Sequence, residues 1–148
     1  MILAVTPIFI SDTRYLLDTN VVSELRLKRA NSRVHSFVAS IDPSALFVSV
    51  MTLGEMRKGV ENKDRNDPVA AAIIAAWADG VELTFADRIL GVDIAIASLW
   101  GTFSAGRTRP VVDTLLAATA IVHGLTLVTR NTADVQDLPV KLLNPWQS

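Results

Sequence analysis

Cysteine is absent, so the chain can form neither a disulfide nor a thiolate metal site. That suits a reducing compartment. Histidine occurs only at positions 35 and 123, too few and too scattered for a zinc site; His35 and His123 each read as a helix-surface or half-buried residue. No charge of one sign dominates, because the formal net charge is -1. The basic excess that often marks a nucleic-acid binder is therefore missing. Phosphate charge would have to be met by local patches or by a metal. Arg26, Lys28, Arg29 and Arg33 offer one patch, and Arg57, Lys58, Lys63 and Arg65 another. A solvated helix face is the simpler reading of any one of these residues. Long hydrophobic runs are lacking too. The opening stretch Met1 to Ile10 is apolar, but it is short, lacks a basic leader and contains Pro7. It reads as neither a signal peptide nor a membrane span, and the chain is expected in the cytoplasm. An edge strand, a partner-binding arm and an extension from an upstream start codon all stay open for it.

What is present suits one globular domain. The chain has 148 residues, 50% apolar and 20% charged, enough for a sizeable core. Apolar runs and helical periodicity alternate. Arg14 to Asp18 reads as a strand. Asn20 to about Leu27 reads as a helix capped by Asn20, and Asn31 to Ile41 as another, stopped before Asp42-Pro43. Ala45 to Val50 is a predicted strand and Thr52 to Glu61 a helix. A polar loop from Glu61 to Pro68 looks like the tip of a helical hairpin. An Ala-rich helix follows from Val69 to Asp79, ended by Gly80, and then a strand from Val81 to Phe85. Ile89 to Phe103 reads as a helix with Ile94, Ala97, Leu99 and Trp100 inward. Pro110 to His123 is a helix stopped by Gly124, Leu125 to Thr129 a strand, and Val140 to Leu143 a last short one. Strands separated by helices imply an α/β fold with a mainly parallel central sheet between helical layers.

Three acids stand out against this pattern. Asp18 closes the apolar run Tyr15-Leu16-Leu17. Glu55 falls in the predicted first turn of one helix, and Asp113 in that of another, just after Pro110. A further polar cluster, Thr129-Arg130-Asn131 with Asp134, follows the strand at Leu125. In such folds the carboxyl ends of the strands and the next helix starts share one edge of the sheet, where ligands bind. Each acid alone has a structural explanation. Thr52 and Glu55 match a capping box, Asp113 suits the helix dipole, and Asp18 with Asn20 could start a turn. Capping does not require all of them to be acidic on one edge, however. After Asp113, residues 117, 120 and 124 share its helix face and are small, which would let a ligand approach. Val111, Leu115, Ala118 and Val122 would form the apolar stripe.

Gathered carboxylates repel one another and become tolerable around a divalent cation. They are hard oxygen ligands suited to Mg²⁺ or Mn²⁺. A water activated by such an ion could hydrolyse a phosphodiester without a serine, cysteine or histidine nucleophile.

The residues from 15 to 25, 49 to 59, 112 to 120 and 127 to 134 resemble the PIN-domain nucleases. These stretches contain Leu17-Asp18-Thr19-Asn20, Leu53-Gly54-Glu55, Val112-Asp113-Thr114 and Thr129-Arg130-Asn131. Within the family they are similar to the VapC-type toxins of bacterial toxin–antitoxin pairs, close to the FitB-like branch. The resemblance runs from about residue 14 to 145 and leaves an apolar extension, residues 1–13, outside. It implies a PIN-like three-layer sandwich and a metal-dependent endoribonuclease using Mg²⁺ or Mn²⁺. It also implies a homodimer, inhibited by a cognate antitoxin whose tail enters the groove. Carried over, Asp18, Glu55 and Asp113 are the metal-binding acids. Many relatives carry an aspartate where Asn131 stands, and Asp134 could serve that fourth position. Thr19, Asn20 and Thr129 would orient the acids, with Asn131 beside them.

Two other functions fit the same acids. A phosphotransfer domain, receiver-like or phosphatase-like, would need a nucleophilic aspartate with a companion acid and a late lysine. Here Asn20, not an acid, stands two residues after Asp18, and Arg130-Asn131 stands where the lysine would help. A non-catalytic binding domain with a degenerate acidic site would fold but fail to bind Mn²⁺. Trp77, Trp100 and Trp146 could be core or could line a partner's groove, as could the helices spanning residues 25–38 and 56–74.

Overall fold

The computed structural model describes residues 12–147; the apolar opening stretch, Met1 to Ile10, lies outside them. The chain runs β1 (Tyr15–Leu17), α1 (Thr19–Arg26), α2 (Ser32–Ser40), β2 (Leu46–Ser49), α3 (Val50–Asp64) and α4 (Pro68–Thr84). It continues through β3 (Ile89–Leu90), α5 (Ile94–Ser104), α6 (Val111–His123), β4 (Thr126–Val128) and β5 (Leu142–Leu143). Every strand pairing is parallel, in the order β3-β2-β1-β4-β5.

Parallel strands buried on both faces need continuous apolar runs, and β1 and β4 have them. Leu16 lies opposite Leu127 and Leu17 opposite Val128. Successive side chains point to opposite faces. Leu17 and Val128 therefore join Val21, Val34 and Met56 under α1 to α4, while Leu16 and Leu127 join Leu116, Ala117 and Ala120 under α6. One three-residue strand thus anchors both layers of the core. The chain leaves β1 through β2 to β3, then returns to the other side of β1 as β4. That reversal opens a crevice at the carboxyl ends of β1 and β4.

Several local expectations change. Asp18, not Asn20, caps α1, with its Oδ1 accepting from the Thr19 amide at 2.6 Å. Ser49 caps α3 by accepting from Met51 N at 3.0 Å, so the helix starts earlier and Glu55 lies in its second turn. The expected capping box does not form; Thr52 is wholly buried inside the helix. α4 continues through Gly80 to Thr84, replacing the strand expected from Val81 to Phe85. Gly80 costs helix propensity only, and Ala78 and Val81 pack on either side of it. Ile89-Leu90 is a strand, and Asp93 caps α5 through Ile96 N. Ile96 is the buried residue of that helix; Ile94 is 86% exposed, Ala97 is exposed, and Leu99 and Trp100 are half-buried.

The expected stripe of α6 holds only in part: Ala118 is buried and Leu115 half-buried. Ala117 and Ala120 are buried against the sheet, whereas Val111 and Val122 are exposed. Their small side chains let the helix approach β1 and β4 closely, so the bare face serves packing. Gly124 ends α6 as expected, with φ of 66° in the left-handed region. A Cβ there would meet no atom within 4 Å, so Gly124→Ala should cost only conformational strain, about 1 kcal/mol. A urea titration should show a lower midpoint with an unchanged m-value.

Candidate active site

The crevice receives side chains from four segments that are distant in sequence. Asp18 follows β1 directly. Its backbone N–H donates to Val128 O at 2.9 Å, which ties the carboxylate to the neighbouring strand. Only 4% exposed, it accepts hydrogen bonds from Thr19 N, from Thr129 Oγ1 at 2.7 Å and from Asn20 Nδ2 at 3.3 Å. Burial nevertheless wins over these donors and, with the negative charge of Glu55, raises the Asp18 pKa above the ordinary aspartate value.

Glu55 projects from α3 and meets the first turn of α1, where Thr19 Oγ1 donates to its Oε1 at 2.5 Å. Thr19 thus orients Asp18 through its backbone and Glu55 through its hydroxyl. Asp113 occupies the first turn of α6. Its pKa is raised to about 6, chiefly by burial, then by the Asp18 charge and by a carboxyl–carboxyl hydrogen bond with Asp134. The fields of Asp18, Glu55 and Asp134 therefore all reach this one carboxyl. Asp18, Thr19, Asn20, Ser23, Glu55, Asp113 and Asn131 line a common cavity of about 260 Å³.

The fourth segment is organised by Thr129. Its buried hydroxyl donates to Asp18 and accepts from Asn131 N at 3.0 Å. Asn20 adds a second tie, with Oδ1 accepting from Arg130 N at 3.4 Å. Asn131 reaches the cavity wall, while Asp134, on the short 3₁₀ turn Thr132–Asp134, stands beside Asp113. Sequence reasoning missed Ser23. It lies four residues after Thr19, hence on the same face of α1, and helical spacing alone could have identified it.

Among the described residues, no three acidic or histidine side chains stand at the spacing of a ready-made metal cage. The acids share a cavity and a field instead. That donor set still fits Mg²⁺ or Mn²⁺, which take hard oxygen ligands and use one or two direct carboxylates with the remaining positions filled by water. The field is unneutralised from inside the cavity, because its lining contains no cation.

A second cavity, about 370 Å³, shares Thr19, Ser23 and Glu55 with the first and extends between α1 and the α3–α4 hairpin. Arg26 and Lys63 bring positive charge to it. Of the patch expected around Arg57, Lys63 reaches this cavity, whereas Arg57 itself pairs with Asp79 at 2.6 Å and Glu82 at 3.0 Å across the hairpin. His35 and His123 line neither cavity. No helix among the described residues is long and apolar enough to cross a membrane.

Comparison with known proteins gives a consistent pattern. The PIN domain family model matches residues 15–138. Toxin FitB of Neisseria gonorrhoeae is 31% identical over 140 residues, covering 88% of this chain and 97% of that protein. The VapC ribonuclease Y4jK of Sinorhizobium fredii is 27% identical over 138 residues, covering 89% and 97% respectively. The crystal structure of FitAcB from Neisseria gonorrhoeae superimposes with a TM-score of 0.81 at 29% identity, covering 90% of this chain and 99% of that one.

Proposed function

We propose a function from one premise: this chain belongs to the PIN-domain family. It is an endoribonuclease and the toxin of a toxin–antitoxin pair, and its cleavage depends on Mg²⁺ or Mn²⁺. The observation that carries this reading is the half-buried carboxyl of Asp113 under the combined field of Asp18, Asp134 and Glu55, in an acid-lined cavity that joins a second one through Thr19, Ser23 and Glu55. Labelled RNA incubated with the protein tests it. Internal cuts should appear with Mg²⁺ or Mn²⁺ and vanish with a chelator.

Asp18, Glu55 and Asp113 would hold the cation, with Asp134 acting through Asp113. The bound cation would supply charge neutralisation at the phosphate and an activated water. The protein's own part is placement. Thr129 and Asn20 fix the Asp18 carboxylate, Thr19 fixes Glu55, and the α6 start holds Asp113 against the sheet. Asn131 carries an uncharged amide at the cavity wall, so the fourth carboxyl is that of Asp134, beside Asp113.

Thr129→Val should test that placement. Losing one buried donor to Asp18 is expected to weaken Mn²⁺ binding about 10-fold or more in calorimetry, with Thr129→Ser restoring it.

The partner is a cognate antitoxin. A cation from its tail, most suitably arginine, would neutralise the acids and occupy the metal's place through charge-assisted hydrogen bonds. The chain acts as one domain in the cytoplasm, where its RNA substrate lies. It works as a homodimer, a reading supported by the exposed apolar side chains Ile94 and Val111 at the starts of α5 and α6. Light scattering tests the oligomeric state.

A further inference from the structure

The larger cavity has chemistry that the acids do not explain. Arg26 leaves the end of α1 and places its guanidinium over the Trp77 ring, 5.6 Å from the centroid. An exposed arginine is thereby held at the wall of the groove, with part of its ordering cost already met by the fold. Across the cavity, at the end of α3 and the following turn, stand Asn62, Lys63 and Asn66. These three side chains are exposed, and none has a hydrogen-bond or ion-pair partner among the described residues. Two amides can each donate and accept, as the edge of a nucleobase requires, and an ammonium can meet a phosphate. Thr19, Ser23 and Glu55 connect this cavity directly to the acidic one.

We propose that the groove between Arg26–Trp77 and Asn62–Asn66 binds one unstacked nucleotide of single-stranded RNA beside the phosphate to be cut. Its base lies on the Arg26 guanidinium, its edge meets the two amides, and Lys63 faces the backbone. This rests on the nuclease reading and adds a subsite that selects the nucleotide. RNA is favoured over a peptide because the cavity pairs a planar guanidinium held over an indole with two free amides. Single-stranded RNA is recognised in that way, by stacking on aromatic or arginine planes and by base-edge hydrogen bonds. The two basic residues also supply locally the phosphate attraction that a net charge of -1 does not.

The test uses a single-stranded RNA oligonucleotide cut at one site, with an abasic nucleotide placed at each position in turn. For the wild-type protein with Mn²⁺, one fixed position near the cut should lower kcat/KM at least about 5-fold when its base is removed, mainly through KM. Arg26→Ala and the double variant Asn62→Ala with Asn66→Ala should already show that loss on the intact RNA. Both should be indifferent to the missing base at that position. These side chains are solvent-exposed, so folding should survive. If the wild type cuts RNA but tolerates every abasic position equally, the subsite is overturned and the nuclease reading stands. If the variants keep the wild-type abasic profile and lose only inhibition by the purified antitoxin, the groove belongs to the protein partner and the subsite is again overturned. If the wild type cuts no RNA at all, the nuclease reading fails and the subsite with it.

Discussion

Asp18→Asn should reduce RNA cleavage by at least about 100-fold, the order seen when a single preorganised electrostatic group is lost from an active site. The substitution keeps size and shape. Its amide oxygen can still accept from Thr19 N and so cap α1, the Thr129 hydroxyl can turn to accept from the new amide nitrogen, and only the long 3.3 Å contact from Asn20 Nδ2 is lost. What disappears is a negative charge in a site where burial already disfavours it. The metal-free variant should therefore melt no lower than the wild type at neutral pH. Loss of cleavage with an unchanged circular-dichroism spectrum is the expected pair of results. A variant that still cuts RNA at the wild-type rate would remove Asp18 from the chemistry.

The second large effect is on pH. The Asp113 carboxyl titrates near 6 in the metal-free protein. It is mostly ionised at pH 7 and mostly protonated at pH 5. A cation must displace that proton, so apparent Mn²⁺ affinity should fall about 10-fold per pH unit below 6, and cleavage with it at subsaturating metal. Stability of the metal-free protein should move the opposite way. A carboxyl with its folded pKa above its unfolded value contributes stability below the unfolded value of 3.8, and that contribution disappears as pH rises through about 6. Asp137 works in a separate window. Arg109 holds it down to about 2, so its contribution is complete above the unfolded value and is lost as pH falls toward 2. Asp113→Asn should accordingly raise the melting temperature of metal-free protein at pH 7 and hardly change it at pH 4. Added Mn²⁺ should stabilise the wild type more at pH 7 than at pH 5. Thermal scans at the two pH values, with and without Mn²⁺, measure all of this.

The parts of this molecule that were legible in sequence are those governed by short-range rules. Tyr15-Leu16-Leu17 is continuously apolar because both faces of β1 are covered, and a carboxylate immediately after it had to reach the carboxyl edge of the sheet. Gly124 marks the end of α6 because a left-handed residue is needed there. The misread parts were decided by tertiary contacts. Gly80 resembles a helix stop, yet Ala78 and Val81 bury against α1 and α3 and carry α4 past it. The α6 alanines look like an open face until β1 and β4 are seen against them. Ser49 overrides Thr52 as a cap because β2 ends there, and that shift moves Glu55 to the second turn of α3, where it meets Thr19. The acid set was legible by residue type and order along the chain. The link from Thr129 through Asp18 to Thr19 and Glu55 needed three dimensions.

A crystal soaked in Mn²⁺ and measured at the manganese absorption edge tests the central claim most directly. The expected result is an anomalous peak in the cavity, bound by oxygens of Asp18 and Asp113, with Glu55 coordinating directly or through water. A fully soaked crystal with no ion there, or with manganese held only by acids elsewhere on the surface, would contradict it.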